Sequence, residues 1–175
     1  MANALFTNRD FKHIKGLSYK SNSQIVHNED RDPVCLDTQD RYPYHILDIT
    51  KYPSVHEKFS YISSRGCPFR CTFCSYEKNW VARSSELVLD DIEWINNQYK
   101  PKVIRFSDPE FFVNKQRVED ICTGLIKRNI RIKWEASCRV NYFAKYSDEF
   151  IELLIESGCY QLAFGAESGL SLIHI

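Results

Sequence analysis

From residue 59 onward, short apolar runs rich in β-branched and aromatic residues alternate with longer runs whose apolar residues recur at helical spacing. That alternation is the signature of βα units feeding a parallel sheet. The strand-like runs are 59–63, 103–106, 131–136 and 160–164. Between them, 86–99 carries Val88, Ile92, Ile95 and Tyr99 on one face, with Ser85 as N-cap and Pro101 just past its end. The run 114–128 places Val118, Ile121, Cys122, Leu125 and Ile126 together and stops at Asn129. A third helix runs from a Ser147 cap through Phe150, Ile151, Leu154 and Ile155 to Gly158. Four strands and three helices are expected to alternate.

Residues 1–58 lack this rhythm. Pro33, Pro43 and Pro53 and many polar residues mark an irregular connector, in which 14–19 and 24–28 are spaced for a small hairpin around 20–23. With 43% apolar and 26% charged residues over 175 positions, the composition is that of a globular domain with a real core. Lys+Arg and Asp+Glu both total 23, which gives no electrostatic footprint for nucleic acid. The first residues contain neither a secretory apolar run nor the start of a membrane span, so a cytoplasmic location is expected. An odd count of 7 cysteines favours reduced thiols over disulfides. Cys35, Cys122, Cys138 and Cys159 are scattered through or beside apolar segments and are expected to behave as small buried hydrophobes.

The other three cysteines, Cys67, Cys71 and Cys74, lie in one short run directly after the first strand. Thiolates are soft ligands suited to iron-sulfur clusters and to zinc, and gaps of three and two residues let one loop wrap three corners of a cluster. A 4Fe-4S cube held by three thiolates keeps one iron open to chelate a small molecule through an amine and a carboxylate. One competing arrangement is a closed zinc site completed by His56 or His45, although paired C-x2-C knuckles are missing. An electron-transfer cluster would need a fourth cysteine nearby, and only the distant Cys35 is on offer.

The run Ser64-Arg65-Gly66-Cys67-Pro68-Phe69-Arg70-Cys71-Thr72-Phe73-Cys74-Ser75 resembles the cluster loop of radical S-adenosylmethionine enzymes. Three further stretches narrow the likeness to the subgroup whose radical domain follows a cobalamin-binding domain: Arg83-Ser84-Ser85-Glu86, Phe106-Ser107-Asp108-Pro109-Glu110-Phe111 and Phe164-Gly165-Ala166-Glu167-Ser168-Gly169. The resemblance implies a partial parallel (β/α)6 TIM-like barrel over 59–169, with about four of its six βα units in this chain and the cobalamin domain outside it. It implies a 4Fe-4S cluster on Cys67, Cys71 and Cys74 that cleaves S-adenosylmethionine reductively to a 5′-deoxyadenosyl radical. A low-potential donor such as flavodoxin or ferredoxin would supply the electron, and a small molecule would be the substrate. Relatives in the subgroup methylate unactivated carbons with methylcobalamin, close rings or rearrange skeletons, and a subgroup without cobalamin is the nearest alternative.

The same resemblance assigns roles residue by residue. Phe73 would cover the cluster and lend its backbone to the adenine. Asp108 or Glu110 would accept from the cofactor's ammonium group, although the glycines usual at that position are missing. Ser137 and Arg139 end the third strand, where the guanidinium would pair with the cofactor carboxylate. Glu167 and Ser168 would bond the ribose hydroxyls. Trp80, Tyr142, Phe143 and Tyr146 would either line a pocket or pack the core. Residues 170–175 depart from the family pattern, match a translated sequencing-library adapter and read as a non-native tail. A segment cut short in this way is expected to turn over nothing by itself.

Overall fold

The computed structural model describes residues 11–165, which fall into two compact units divided between Val34 and Cys35. In the first unit, strands β1 (Ser18–Ser21) and β2 (Gln24–His27) form the expected antiparallel hairpin. Its two turn residues, Asn22 and Ser23, both take positive φ, which matches the twist of a two-residue hairpin.

The second unit is built on a four-stranded parallel sheet in the order β3 (Lys58–Tyr61), β6 (Val103–Phe106), β7 (Lys133–Cys138), β8 (Cys159–Phe164). A short helix α1 (Ser54–Glu57) leads into β3, and β4 (Ser64–Arg65) pairs antiparallel with β5 (Val81–Ala82) to close a loop between β3 and helix α2 (Ser85–Tyr99). Helix α3 (Lys115–Lys127) follows β6, while α4 (Val140–Phe143) and α5 (Asp148–Glu156) follow β7. The consecutive parallel strands and intervening helices are the expected partial barrel. Several details differ from the sequence reading. The N-cap of α2 is Ser84, not Ser85, and β7 runs on to Cys138. The single turn α4, too short to show periodicity, was not foreseen.

Alternation along the strands explains the layering. Phe59, Tyr61, Ile104, Phe106, Trp134 and Ala136 point to the helices and are buried, because each βα connection lays an apolar helix face on that side of the sheet. Phe106 stacks on Phe111 with centroids 4.4 Å apart, and Trp134 stands edge-on to Phe106 at 5.7 Å. Each such ring stabilises the fold by roughly 1.5–3 kcal/mol. Trp134 also donates its indole N–H to Ser157 Oγ at 3.1 Å, so its polar edge is satisfied. α2 and α3 approach closely at Gly124, where a Cβ would meet Leu89 Cδ1 at 2.2 Å.

Residues 35–58, read from sequence as connector, add to this core. Leu36 and Ile49 are buried, and Tyr44 packs edge-on against Phe59 at 5.0 Å. Arg83 donates to the Leu36 and Gln39 carbonyls at 2.8 and 2.9 Å, and Arg41 pairs with the buried Asp91 at 2.8 Å. Cys122 and Cys138 are buried as expected; Cys35 is exposed, because it sits outside the 3-10 turn at Leu36–Thr38. Among the described residues no helix is long and apolar enough to cross a membrane.

Candidate functional site

The three-cysteine loop rises from the C-terminal end of β3, the end at which parallel barrels carry their chemistry. Its base is closed by the β4–β5 ribbon and by Cys67 N–H donating to the Glu77 carbonyl at 2.7 Å. Gly66 makes the turn at φ +73°, and a Cβ there would meet the Asn79 carbonyl oxygen at 2.1 Å, so only glycine fits. Cys74 N–H donates to the Cys71 carbonyl at 3.1 Å, which keeps those two cysteines on one turn. All three thiols are free and half-buried, while Phe73 and Tyr76 are exposed.

The end of β7 grips this loop from the side. The Arg139 guanidinium lies 4.1 Å from the centroid of the Phe69 ring, and its Nη1 is 3.6 Å from Cys71 Sγ. Tyr142 on α4 stands edge-on to Phe69 at 5.7 Å. Of the four aromatics flagged by sequence, Tyr142, Phe143 and Tyr146 pack against the core.

Beneath the loop lies a buried polar frame that the sequence did not announce. Asp108 accepts from Ser63 N–H at 2.6 Å, Ser64 N–H at 2.8 Å and the Ser63 hydroxyl at 2.6 Å. Arg117 donates to the Ser63 carbonyl at 3.1 Å, to Ser63 Oγ at 2.9 Å and to the Arg83 carbonyl at 2.7 Å. Burial raises the pKa of Asp108 against the pull of these bonds and of Arg117, and burial likewise lowers that of Arg117. Asp108, expected at the cofactor's ammonium group, therefore has both oxygens engaged at the root of the cysteine loop. One signal for Arg117 was present: it stands four residues before Ile121 on the apolar stripe of α3, where a lone arginine has to find partners.

Glu110, also buried, accepts from Phe112 N–H at 3.1 Å. Burial pushes its pKa up to about 7, with the Phe112 bond and the nearby Arg139 pulling the other way. Ser137 lines a cavity of about 470 Å³ at the C-terminal ends of β6, β7 and β8, together with Ser107, Asp108 and the loop residue Tyr76. A larger cavity of about 860 Å³ borders the opposite ends of the strands at Lys58, Val103 and Lys133, remote from the thiols. Glu167 and Ser168 lie outside the described residues, as does the 170–175 tail.

Among the described residues, no three Cys, His, Asp or Glu side chains are gathered closely enough to hold a metal ion. The donor chemistry nevertheless fits an iron-sulfur cluster. Three soft thiols share one loop closed at its base, and a guanidinium stands beside one sulfur that must carry negative charge to ligate. His56, named for a zinc alternative, is instead hydrogen-bonded through Nδ1 to the Tyr99 carbonyl at 3.0 Å.

Residues 61–174 match the family model described as the Radical SAM superfamily. The chain is 36% identical to an uncharacterized methyltransferase of Pyrococcus horikoshii, over 96% of this chain and 37% of that protein. It superposes on the cobalamin-dependent S-adenosylmethionine radical enzyme OxsB, solved with aqua-cobalamin and S-adenosylmethionine bound, with a TM-score of 0.74 at 26% identity, over 95% of this chain and 26% of that one. The radical S-adenosylmethionine methyltransferase TsrM of Kitasatospora setae, solved with cobalamin and a [4Fe-4S] cluster, shares the fold with a TM-score of 0.73 at 17% identity, over 94% of this chain and 35% of that one. The chain thus spans only about a third of the length of the curated relative.

Proposed function

The chain belongs to the radical SAM superfamily, and on that footing we propose that it is the cluster-bearing segment of a cobalamin-linked radical S-adenosylmethionine enzyme, with methyl transfer to a small molecule as its reaction. The observation that carries the reading is the position of the cysteine loop: three thiols on one loop, closed at its base, at the C-terminal end of a parallel sheet. When bound, a 4Fe-4S cluster and S-adenosylmethionine supply one-electron cleavage of the sulfonium to a 5′-deoxyadenosyl radical.

The residues of this chain divide that work. Cys67, Cys71 and Cys74 hold the cluster. Arg139 orients the loop through Phe69 and offers a cation to the cofactor carboxylate, as its position between Phe69 and Cys71 supports. Phe73, exposed on the loop, covers the cluster and meets the adenine. Glu110 and Ser137 stand at adjoining strand ends and receive the polar groups of the methionine moiety, and Glu167 and Ser168 take the ribose. Asp108 and Arg117 act from below by fixing Ser63 and Ser64. Cobalamin binds in a part of the protein beyond this chain, a reading supported by the aqua-cobalamin bound in OxsB, of whose length this chain covers 26%. A flavodoxin or ferredoxin delivers the electron in the cytoplasm.

Anaerobic reconstitution with iron and sulfide tests the proposal. A 4Fe-4S spin-resonance signal is expected, shifted when S-adenosylmethionine is added. Cys71→Ala is expected to lose the iron while the sheet stays folded. A signal indifferent to S-adenosylmethionine, or iron retained without Cys71, would refute the assignment. Cobalt analysis of the purified full-length protein separates the cobalamin-linked reading from one without cobalamin.

A further inference from the structure

We propose that Arg105 anchors a negatively charged oxygen group of the substrate, a carboxylate or a phosphoryl group, on the floor of the cavity below the cysteine loop. The proposal rests on the radical enzyme reading only in calling that occupant the substrate.

The argument begins with strand alternation. Register places Ser60, Arg105, Glu135 and Gln161 side by side across the face of the sheet turned away from the helices. Barrel interiors are ordinarily filled by apolar layers. Here the layer is ionic.

Glu135 is its hub. Lys58 Nζ reaches both carboxylate oxygens at 2.9 Å, Arg105 donates through Nε, and Tyr160 donates its hydroxyl. A register shift opposite Trp134 and Glu135 accommodates Tyr160 as an extra residue in β8, and a bulge of this kind re-aims a side chain. With four hydrogen bonds from three donor groups on its two oxygens, Glu135 acts as a brace that fixes the plane of the Arg105 guanidinium.

That brace uses only one edge of Arg105. Among the described residues its two terminal Nη groups make no hydrogen bond, and the side chain is 49% exposed. Arg105 belongs to the wall of the 470 Å³ cavity, whose other polar residues include Ser107, Ser137 and Gln161. Asp108, the second carboxylate in that wall, is engaged with Ser63 and Ser64. Lys58, which borders the cavity at the opposite strand ends, shares the charge of Glu135 with Arg105, so the three-residue ionic layer keeps one positive charge in excess, and the guanidinium fork matches the two oxygens of a carboxylate or phosphoryl group.

Position assigns the occupant. The same cavity is bounded by Tyr76 of the cysteine loop, and Arg105 lies two residues, about 7 Å, below Ser107 along β6. An anion held by Arg105 would leave the rest of its molecule pointing toward the cluster loop. A reacting carbon belongs there.

The test is arginine modification of the full-length protein by phenylglyoxal, read residue by residue by mass spectrometry. Arg105 is expected to react, and millimolar inorganic phosphate or acetate to slow that reaction saturably by about fivefold or more, while chloride at equal ionic strength does not. Protection by phosphate identifies a phosphoryl group, and protection by acetate a carboxylate; either supports the anchor. Absence of saturable protection by both overturns it. Protection by S-adenosylmethionine alone also overturns it, since the anion would then be the cofactor's own carboxylate. Arg105→Lys keeps the charge and removes the fork, so calorimetric affinity for the protecting anion is expected to fall about tenfold; unchanged affinity in a folded variant refutes the proposal. Iron content is measured on the same samples. Protected Arg105 in protein that takes up no cluster would sink the enzymatic reading and leave the anchor standing.

Discussion

At Gly66 the backbone runs at φ +73° with the Asn79 carbonyl 2.1 Å from where a Cβ would sit, so Gly66→Ala has no unstrained solution. The substitution is expected to cost about 1–3 kcal/mol locally and to open the base of the cysteine loop. Iron uptake should fall more steeply than the thermal midpoint of the sheet. Asp108→Asn tests the frame beneath. It turns an amide toward the three donors of Ser63 and Ser64, and each donor left unmet costs about 1–3 kcal/mol, visible as a lowered urea midpoint. Glu110 gives a pH signature of definite sign. Burial lifts its pKa from 4.5 to about 7 in the folded chain, so the folded state holds the proton more tightly than the unfolded one. Its contribution to stability is therefore full below pH 4.5 and declines as pH rises toward about 7. Urea titrations of the cluster-free chain across that window should show the decline in wild type and a flatter profile in Glu110→Gln.

Among elements, legibility followed periodicity. α3 and α5 are legible because apolar residues recur there at helical spacing; Ser147 caps α5 as expected and accepts from Phe150 N–H, while Asn114, expected as the first helical residue, is the N-cap of α3 and accepts from Arg117 N–H. The β4–β5 ribbon was invisible, since two residues per strand make no pattern and its stability comes from closing the cysteine loop. The frame under that loop joins Ser63 and Asp108 from the segments after β3 and β6 with Arg117 of α3, and only tertiary structure brings them together. Glu135 was equally unforeseen: a charged residue in the third strand looks like a solvated face until Lys58, Arg105 and Tyr160 converge on it. Burial alone would raise its pKa, but the bonds from Lys58, Tyr160 and Arg105 prevail and hold it at about 2. The stability it lends is complete above pH 4.5 and is lost as pH falls toward 2. Glu135→Gln should weaken the fold at neutral pH and remove that part of the acid limb, measured by urea unfolding between pH 2 and 6.

For the whole molecule, the sheet is the controlling fact. Among the described residues β8 pairs on one side only, with β7, and it presents Tyr160 and Phe164 as exposed aromatics. A strand with an open hydrogen-bonding edge invites another chain. Sedimentation of the 175-residue chain is expected to show concentration-dependent association; a monomer at every concentration would mean that the edge is covered. The Pyrococcus horikoshii relative is nearly three times as long, and a chain of that length with the edge paired should lack that tendency. The buried frame of Asp108, Ser63 and Arg117 has a different consequence, because its hydrogen bonds run between protein groups, although among the described residues Arg117 Nη1 is left without a partner. Air damage that strips the metal from such an enzyme would leave its socket upright, and recovery would be a matter of refilling a seat already shaped rather than rebuilding the polypeptide around it.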